Sequence, residues 1–333
     1  MNRRAFLTAA AASSVLSASA AQRPARAQAM PRFYEAARYS SERSGVSFLV
    51  ARHGVVLGED YPGGAPDQRW HIGAGTRVFV ALLAASLIEA RLLNLDEPVA
   101  ATLVEWSQDP ARLSIPIRSL LNGTSGIAFP RGGERTLAVA LTLTPRAVLG
   151  QSFSADEAMP LLMTEIARRK LMGSNAETDP ARWLTTRTLL PIGCVPIGWT
   201  RASDGAARFD DGAQVSARGW AQTGELIRRH GVWRARQLAD GAALQEAMRG
   251  TFAEPRAGMG LWLSHPERRD PPIESDLWRA AHPAPPDLVM AAGAGGQRLY
   301  IAPSTGLVVA RQSRAADGPW SDAQFLSLIW RDL

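Results

Sequence analysis

The strongest constraint on this 333-residue chain is where its β-forming segments fall. Residues 46–61, VSFLVARHGVVLGEDY, form two β-rich arms around a turn at Arg52-His53-Gly54, which predicts a hairpin. The next clear strands, at residues 258–264, 288–291, 297–302 and 306–311, come near the other end, with a hairpin turn at Pro303-Ser304-Thr305-Gly306. An isolated hairpin is marginal in water. The two ends must therefore meet in one sheet. The segment between them is mainly helical, with helices expected at residues 155–172, 181–190 and 213–230. It reads as an insertion packed against that sheet. Residues 76–92 predict a helix that is apolar nearly all round from 78 to 88, and so buried on most faces. Asp96-Glu97-Pro98 opens another short helix, and residues 322–331 close the chain with an amphipathic one. The expectation is an α+β architecture with two lobes and a cleft between them. An α/β lobe comprises residues of about 30–100 and 250–333, and a helical lobe covers about 100–250.

Residues 1–29 have a different character. Positive charge comes first, then a run of small and apolar residues, then small residues at A-x-A spacing. That order predicts a secretory signal peptide, with cleavage after Ala27 or Ala29. Arg3-Arg4 followed by Ala5, Phe6 and Leu7 resembles a twin-arginine leader. The run is too short and too rich in Ser and Ala to span a membrane well. The reading is a soluble periplasmic product, residues 30–333, folded as one domain.

Charge then loses its apparent meaning. The chain carries 37 basic and 31 acidic residues, a formal net charge of +6. Four of the arginines (Arg3, Arg4, Arg23, Arg26) lie in the leader; without them 33 basic residues stand against 31 acidic ones. No clustered basic run remains, so the composition argues against a nucleic-acid partner. The single cysteine, Cys194, lies in the apolar stretch LLPIGCVPIGW and reads as a buried, inert thiol. The five histidines are scattered with no ligand spacing, and neither a metal nor a cofactor is expected. Lys170 is the only lysine, so any mechanism needing one has a single candidate.

Several separated segments carry a specific resemblance. Trp70-His71-Ile72-Gly73-Ala74-Gly75-Thr76-Arg77-Val78-Phe79 is similar to the first catalytic motif of the serine β-lactamases, penicillin-binding proteins and related esterases. The class C and 6-aminohexanoate-dimer-hydrolase-like branches are the most similar. Residues 88–99 and Ile117-Arg118-Ser119-Leu120-Leu121-Asn122-Gly123-Thr124-Ser125-Gly126-Ile127 follow the family pattern, as do residues 295–303 and 307–311. The resemblance covers most of the mature chain in the right order. It implies a β-lactamase/transpeptidase-like fold, an antiparallel sheet flanked by helices with an inserted helical lobe.

The family's first motif is Ser-x-x-Lys at the start of a buried helix. Residues at i and i+3 are neighbours there, so the lysine, its pKa lowered by burial, takes the serine proton. In this chain those positions are Ala74 and Arg77. Alanine offers no nucleophile, and arginine stays protonated and cannot serve as a base. Lys170 does not rescue the motif, because Ala167 lies three residues before it. The second motif, Tyr-x-Asn, falls on Ser154 and Asp156, or on Ala155 with a one-residue slip. The third, Lys/His-x-Gly, falls on Ala291-Ala292-Gly293-Ala294-Gly295-Gly296-Gln297, which has no cation at the required place. The resemblance thus implies a cleft formed by Ala74, Arg77, Ser154, Asp156, Gly293, Ala294, Gly295, Gly296 and Gln297. Backbone amides near Ala74 and on the 293–296 segment remain to bind a carbonyl or anion. Arg77 would either pair with Asp156 or grip a ligand carboxylate.

Three functions fit these residues. One is an exported hydrolase homologue, inactive by acyl-serine chemistry, that binds a peptide, amide or cell-wall-like ligand. Another is an active hydrolase of amide, ester or β-lactam bonds using other residues. Ser125, Ser152 and Ser154 would be candidates, although each also reads as a turn or cap serine. The last is a periplasmic interaction protein that uses a surface rather than the cleft.

Overall fold

A computed structural model describes residues 32–174, 177–195, 197–265, 273–279, 281–314 and 320–333. The expected leader lies outside the described residues. Helix α1 (Tyr34–Ser41) precedes the hairpin of β1 (Gly45–Arg52) and β2 (Val55–Asp60). The short strand β3 (Trp70–His71) leads through a tight 3-10 turn, Gly73–Arg77, into α2 (Val78–Glu89). Helices α3 (Ile117–Leu121), α4 (Leu137–Thr142), α5 (Ala158–Gly173) and α6 (Pro180–Leu184) follow. Next come β4 (Ile197–Trp199), β5 (Ala213–Val215), α7 (Ala217–Arg228), the small hairpin β6 (Val232–Trp233) and β7 (Arg236–Gln237), and α8 (Gly241–Ala247). Strands β8 (Trp262–Leu263), β9 (Val289–Gly293), β10 (Gln297–Ala302) and β11 (Leu307–Ser313) and helix α9 (Asp322–Arg331) complete the chain.

The two ends do meet. The main sheet is antiparallel throughout, in the order β2-β1-β11-β10-β9-β8. Within it the first strand pairs with the last, with Val50 opposite Val309. Strand side chains alternate between faces, and both faces here are covered. Phe48, Val50, Tyr300 and Val309 pack with Phe33 of the N-terminal segment and Phe325 and Ile329 of α9. Leu49, Leu299, Val308 and Ala310 enter the other core, shared with α2, α7 and the helical middle. This explains why β1 is buried over seven of its eight residues. Helix α2 is buried at every position from Val78 to Leu87, as its all-round apolar sequence requires. The result is the α+β, β-lactamase/transpeptidase-like fold. No helix among the described residues is long and apolar enough to cross a membrane.

Some element readings need correction. Residues 213–215 are not helical: they form β5, which pairs with Trp70–His71 on one side and Ile197–Trp199 on the other. The helix starts at Ala217, where the Ser216 hydroxyl accepts a hydrogen bond from the Gly219 amide at 3.1 Å, an N-cap that a three-residue strand cannot outweigh in pattern. The strand expected at 258–264 shrinks to Trp262–Leu263, since only these two residues reach β9. The helix expected at 181–190 runs as Pro180–Leu184 and then widens into one π turn, Thr185–Leu189.

Candidate functional site

The site begins where β9 meets the turn before α2. A Cβ on Gly293 would lie 2.2 Å from the Ile72 carbonyl oxygen, so only glycine lets these backbones touch. That contact sets the end of the third-motif strand beside Ala74. A cleft opens there in two connected parts. The inner part, about 200 Å³, is lined by Ala74, Arg77, Gly123, Ser154 and Trp262 among others. The outer part, about 270 Å³, is lined by Ala74, Glu274, Trp320 and residues 292–296. Ala74, Ile273 and Ala292 border both. The T-shaped pair Phe153 and Trp262, with ring centroids 6.1 Å apart, walls the inner part.

Arg77 points across the cleft and donates from Nη1 to the Ala155 carbonyl at 2.7 Å. Its Nε is buried without a partner. Burial pulls its pKa below the ordinary arginine value, against the fields of Glu157, Asp210, Asp156 and Asp211. The guanidinium stays charged under any ordinary condition. It therefore occupies the lysine position as a fixed cation that ties the second-motif loop by its backbone.

The structure brings Ala74, Arg77, Ser154, Gly293, Ala294, Gly295 and Gly296 around the cleft. It does not bring Asp156 or Gln297 to its lining, which corrects two of the expected residues. The Asp156 carboxylate accepts from the Ala158 amide at 2.8 Å and the Phe129 amide at 3.2 Å. A short acidic side chain next to a helix start finds orphan backbone donors there, and it forms no bond with Arg77. The Gln297 amide is buried and turned along the sheet, donating to the Ser313 carbonyl at 2.7 Å and accepting from the Ser313 amide at 3.1 Å. Cys194 is a free, buried thiol, and burial pushes its pKa up to about 12 despite a hydrogen bond from Thr223. Lys170 is committed elsewhere, in a 2.6 Å ion pair with Glu97.

Two arginines behind the third-motif turn are the residues that pattern reading missed. Arg298 and Arg311 stand directly opposite each other on β10 and β11. Arg298 donates to the Gly293 carbonyl at 2.8 Å. Arg311 donates to the carbonyls of Gly295 at 2.6 Å and Gly296 at 2.9 Å, with Trp320 over its guanidinium at 4.2 Å. Gly295 and Gly296 have φ of 68° and 72°, the left-handed region that this reversal needs. In a trans peptide the N–H points away from the C=O. Holding the Gly293 carbonyl from behind therefore aims the Ala294 amide forward, toward the Gly73–Arg77 turn. The charges are unequal in company. Burial would raise the Asp322 carboxyl, but Arg298 and hydrogen bonds from Ser275 and Tyr300 hold it below its ordinary value. Arg311 has no carboxylate of its own, and burial draws its pKa down to about 10. Charged residues inside the apolar strand sequences QRLYIA and VVARQS were the available signal.

Chemically, the cleft sets Ala74 beside Arg77 in a lining made mostly of small or apolar residues. Among the described lining residues, no Lys, His or Tyr faces Ala74, and Ser154 is the only hydroxyl. No group of His, Cys, Asp and Glu among the described residues is placed to hold a metal.

Comparison with known proteins places the fold. A β-lactamase family profile matches residues 25–325. The chain belongs to the β-lactamase family. Its structure is similar to that of a protein assigned as a 6-aminohexanoate-dimer hydrolase from Bacillus anthracis, with TM-score 0.70 and 15% identity, covering 89% of this chain and 80% of that one. It is also similar to a family VIII carboxylesterase, with TM-score 0.70 and 15% identity over 91% and 97% of the two chains. A penicillin-binding protein homologue from Caulobacter crescentus gives TM-score 0.67 and 18% identity over 91% and 98%. No curated protein sequence matches this chain.

Proposed function

We propose that this protein is an exported, catalytically silent member of the β-lactamase family, with a retained cleft that binds an amide, peptide or cell-wall-like ligand without turning it over. The observation that carries this reading is the pairing of Ala74 with a fixed Arg77 in a cleft whose one hydroxyl, on Ser154, has no base beside it. Acyl transfer needs a nucleophile and a group to take its proton. Losing both, together with the tyrosine and the third-motif cation, removes each step of that route. The binding half of the chemistry has more support. The forward-facing Ala294 amide and the Arg77 cation suit a carbonyl or carboxylate. The small volume of the two parts favours a compact group over a long chain. The leader sequence supports export to the periplasm by the twin-arginine route.

The mature chain is to be incubated with penicillins and activated esters and its intact mass recorded, beside the double variant Ala74→Ser/Arg77→Lys. The expected result is no added mass on the natural chain and a covalent adduct on the variant. An adduct on the natural chain would show a nucleophile in use, and peptide mapping would identify it.

A further inference from the structure

We propose that a second cavity, distinct from the one lined by Ala74, is a binding site for a short zwitterionic peptide. It has a volume of about 890 Å³, within the range of small-molecule sites and larger than either part of the cleft. It lies between α4, one face of α5 and the loop of residues 201–210, and shares no lining residue with the cleft. Leu161, Thr164 and Arg168 reach it from one face of α5, and Glu157 from the residue just before that helix. Leu137, Ala138, Leu161, Pro180 and Ala207 supply apolar surface.

The charge pattern selects the ligand. Four guanidinium groups line the cavity, each in an ion pair: Arg168 with Glu165 at 2.7 Å, Arg201 with Asp179 at 2.6 Å, Arg208 with Asp210 at 2.8 Å, and Arg135 with Glu157 at 3.2 Å. With Asp204 the lining carries five carboxylates against four cations. A polyanion or a polycation would meet a like charge for nearly every opposite one. A ligand carrying one charge of each sign meets no such penalty. Three of the pairs are short and reinforced: Arg201 also donates to the Gly205 carbonyl, Arg208 also reaches Asp211, and Arg168 grips both oxygens of buried Glu165. Arg135 and Glu157 differ. They share one longer contact, and their side chains are 45% and 37% exposed. Pairs of this kind hold weakly. A ligand carboxylate can take Arg135 while its ammonium takes Glu157, so one loose pair becomes two charge-assisted contacts. The apolar walls then receive the side chains between the two ends.

The test is calorimetric titration of the protein with L-alanyl-L-alanine, and with its N-acetylated, C-amidated counterpart, which carries no charge. Saturable binding of the dipeptide is expected, with the capped form weaker by about tenfold or more, the usual cost of losing a charged hydrogen-bond partner. Arg135→Gln and Glu157→Gln should each weaken the dipeptide by a similar factor. Ala206→Trp, at an exposed lining position, should fill the cavity and abolish binding while melting behaviour is unchanged. The proposal is overturned if the dipeptide gives no saturable heat at its solubility limit. It is equally overturned if the capped form binds as well, or if binding survives Ala206→Trp.

Discussion

At the scale of single residues, the molecule spends buried charge on shape. Asp322 is wholly buried and binds Arg298 at 2.8 Å, with Tyr300 donating to the same carboxylate. Removing one partner of such a pair leaves the other uncompensated, so Asp322→Asn is expected to cost about 3–5 kcal/mol, read as a fall in melting temperature. The pH dependence has a definite sign. The folded carboxyl titrates below its unfolded value. Its contribution is therefore complete above the unfolded carboxylate pKa and drains away as pH falls through the lower, folded one. Melting curves of the natural chain should steepen their decline in acid, and Asp322→Asn should flatten that limb. An unchanged limb would show that Asp322 does not control it. Positions such as Ala74 and Arg77 were legible from sequence because the flanking pattern fixed their place. Arg298 and Arg311 were not, because their role depends on strand register across a turn, which local pattern does not report.

At the scale of elements, burial and capping decide what holds. Leu82 is fully buried in α2, the helix shared by the sheet and the helical middle. Leu82→Ala should cost about 2–5 kcal/mol. Ser216→Ala removes the N-cap of α7 and should cost about 1 kcal/mol. Denaturant titration of both variants would rank them, and a larger loss at Ser216 would contradict this account of α7. The hairpin of β1 and β2 was readable from its two β-rich arms and turn, α2 from its all-round apolar run, and α9 from its amphipathic period. β5 was not, because three residues carry no period and its partners lie far off in sequence, at Trp70–His71 and Ile197–Trp199. Asp156 misled for a related reason. Its place in the family's pattern suggested the cleft, while the free amides of Ala158 and Phe129 claimed its carboxylate.

At the scale of the whole molecule, the cleft joins the end strands to the helical middle, while the second cavity needs only the middle. The cleft hangs on the contact of Gly293 with Ile72, between the end of β9 and the turn that leads into α2. The second cavity is built from the middle of the chain alone. A chain ending before Leu307 would lose the strand that lies between β1 and β10, and no cooperative unfolding transition is expected from it by calorimetry. A sharp transition in that truncation would show that the remaining strands close the sheet without β11.

The pairing of β1 with β11 also sets a timetable. Most of the sequence described lies between β1 and its neighbour β11, so a growing chain on the ribosome carries an unfinished sheet until β11 has emerged. Pairings between distant segments are slow to form and expose bare strand edges meanwhile. For this protein the vulnerable interval is birth, and whatever shelters the nascent chain must hold on until β11 is free to pair.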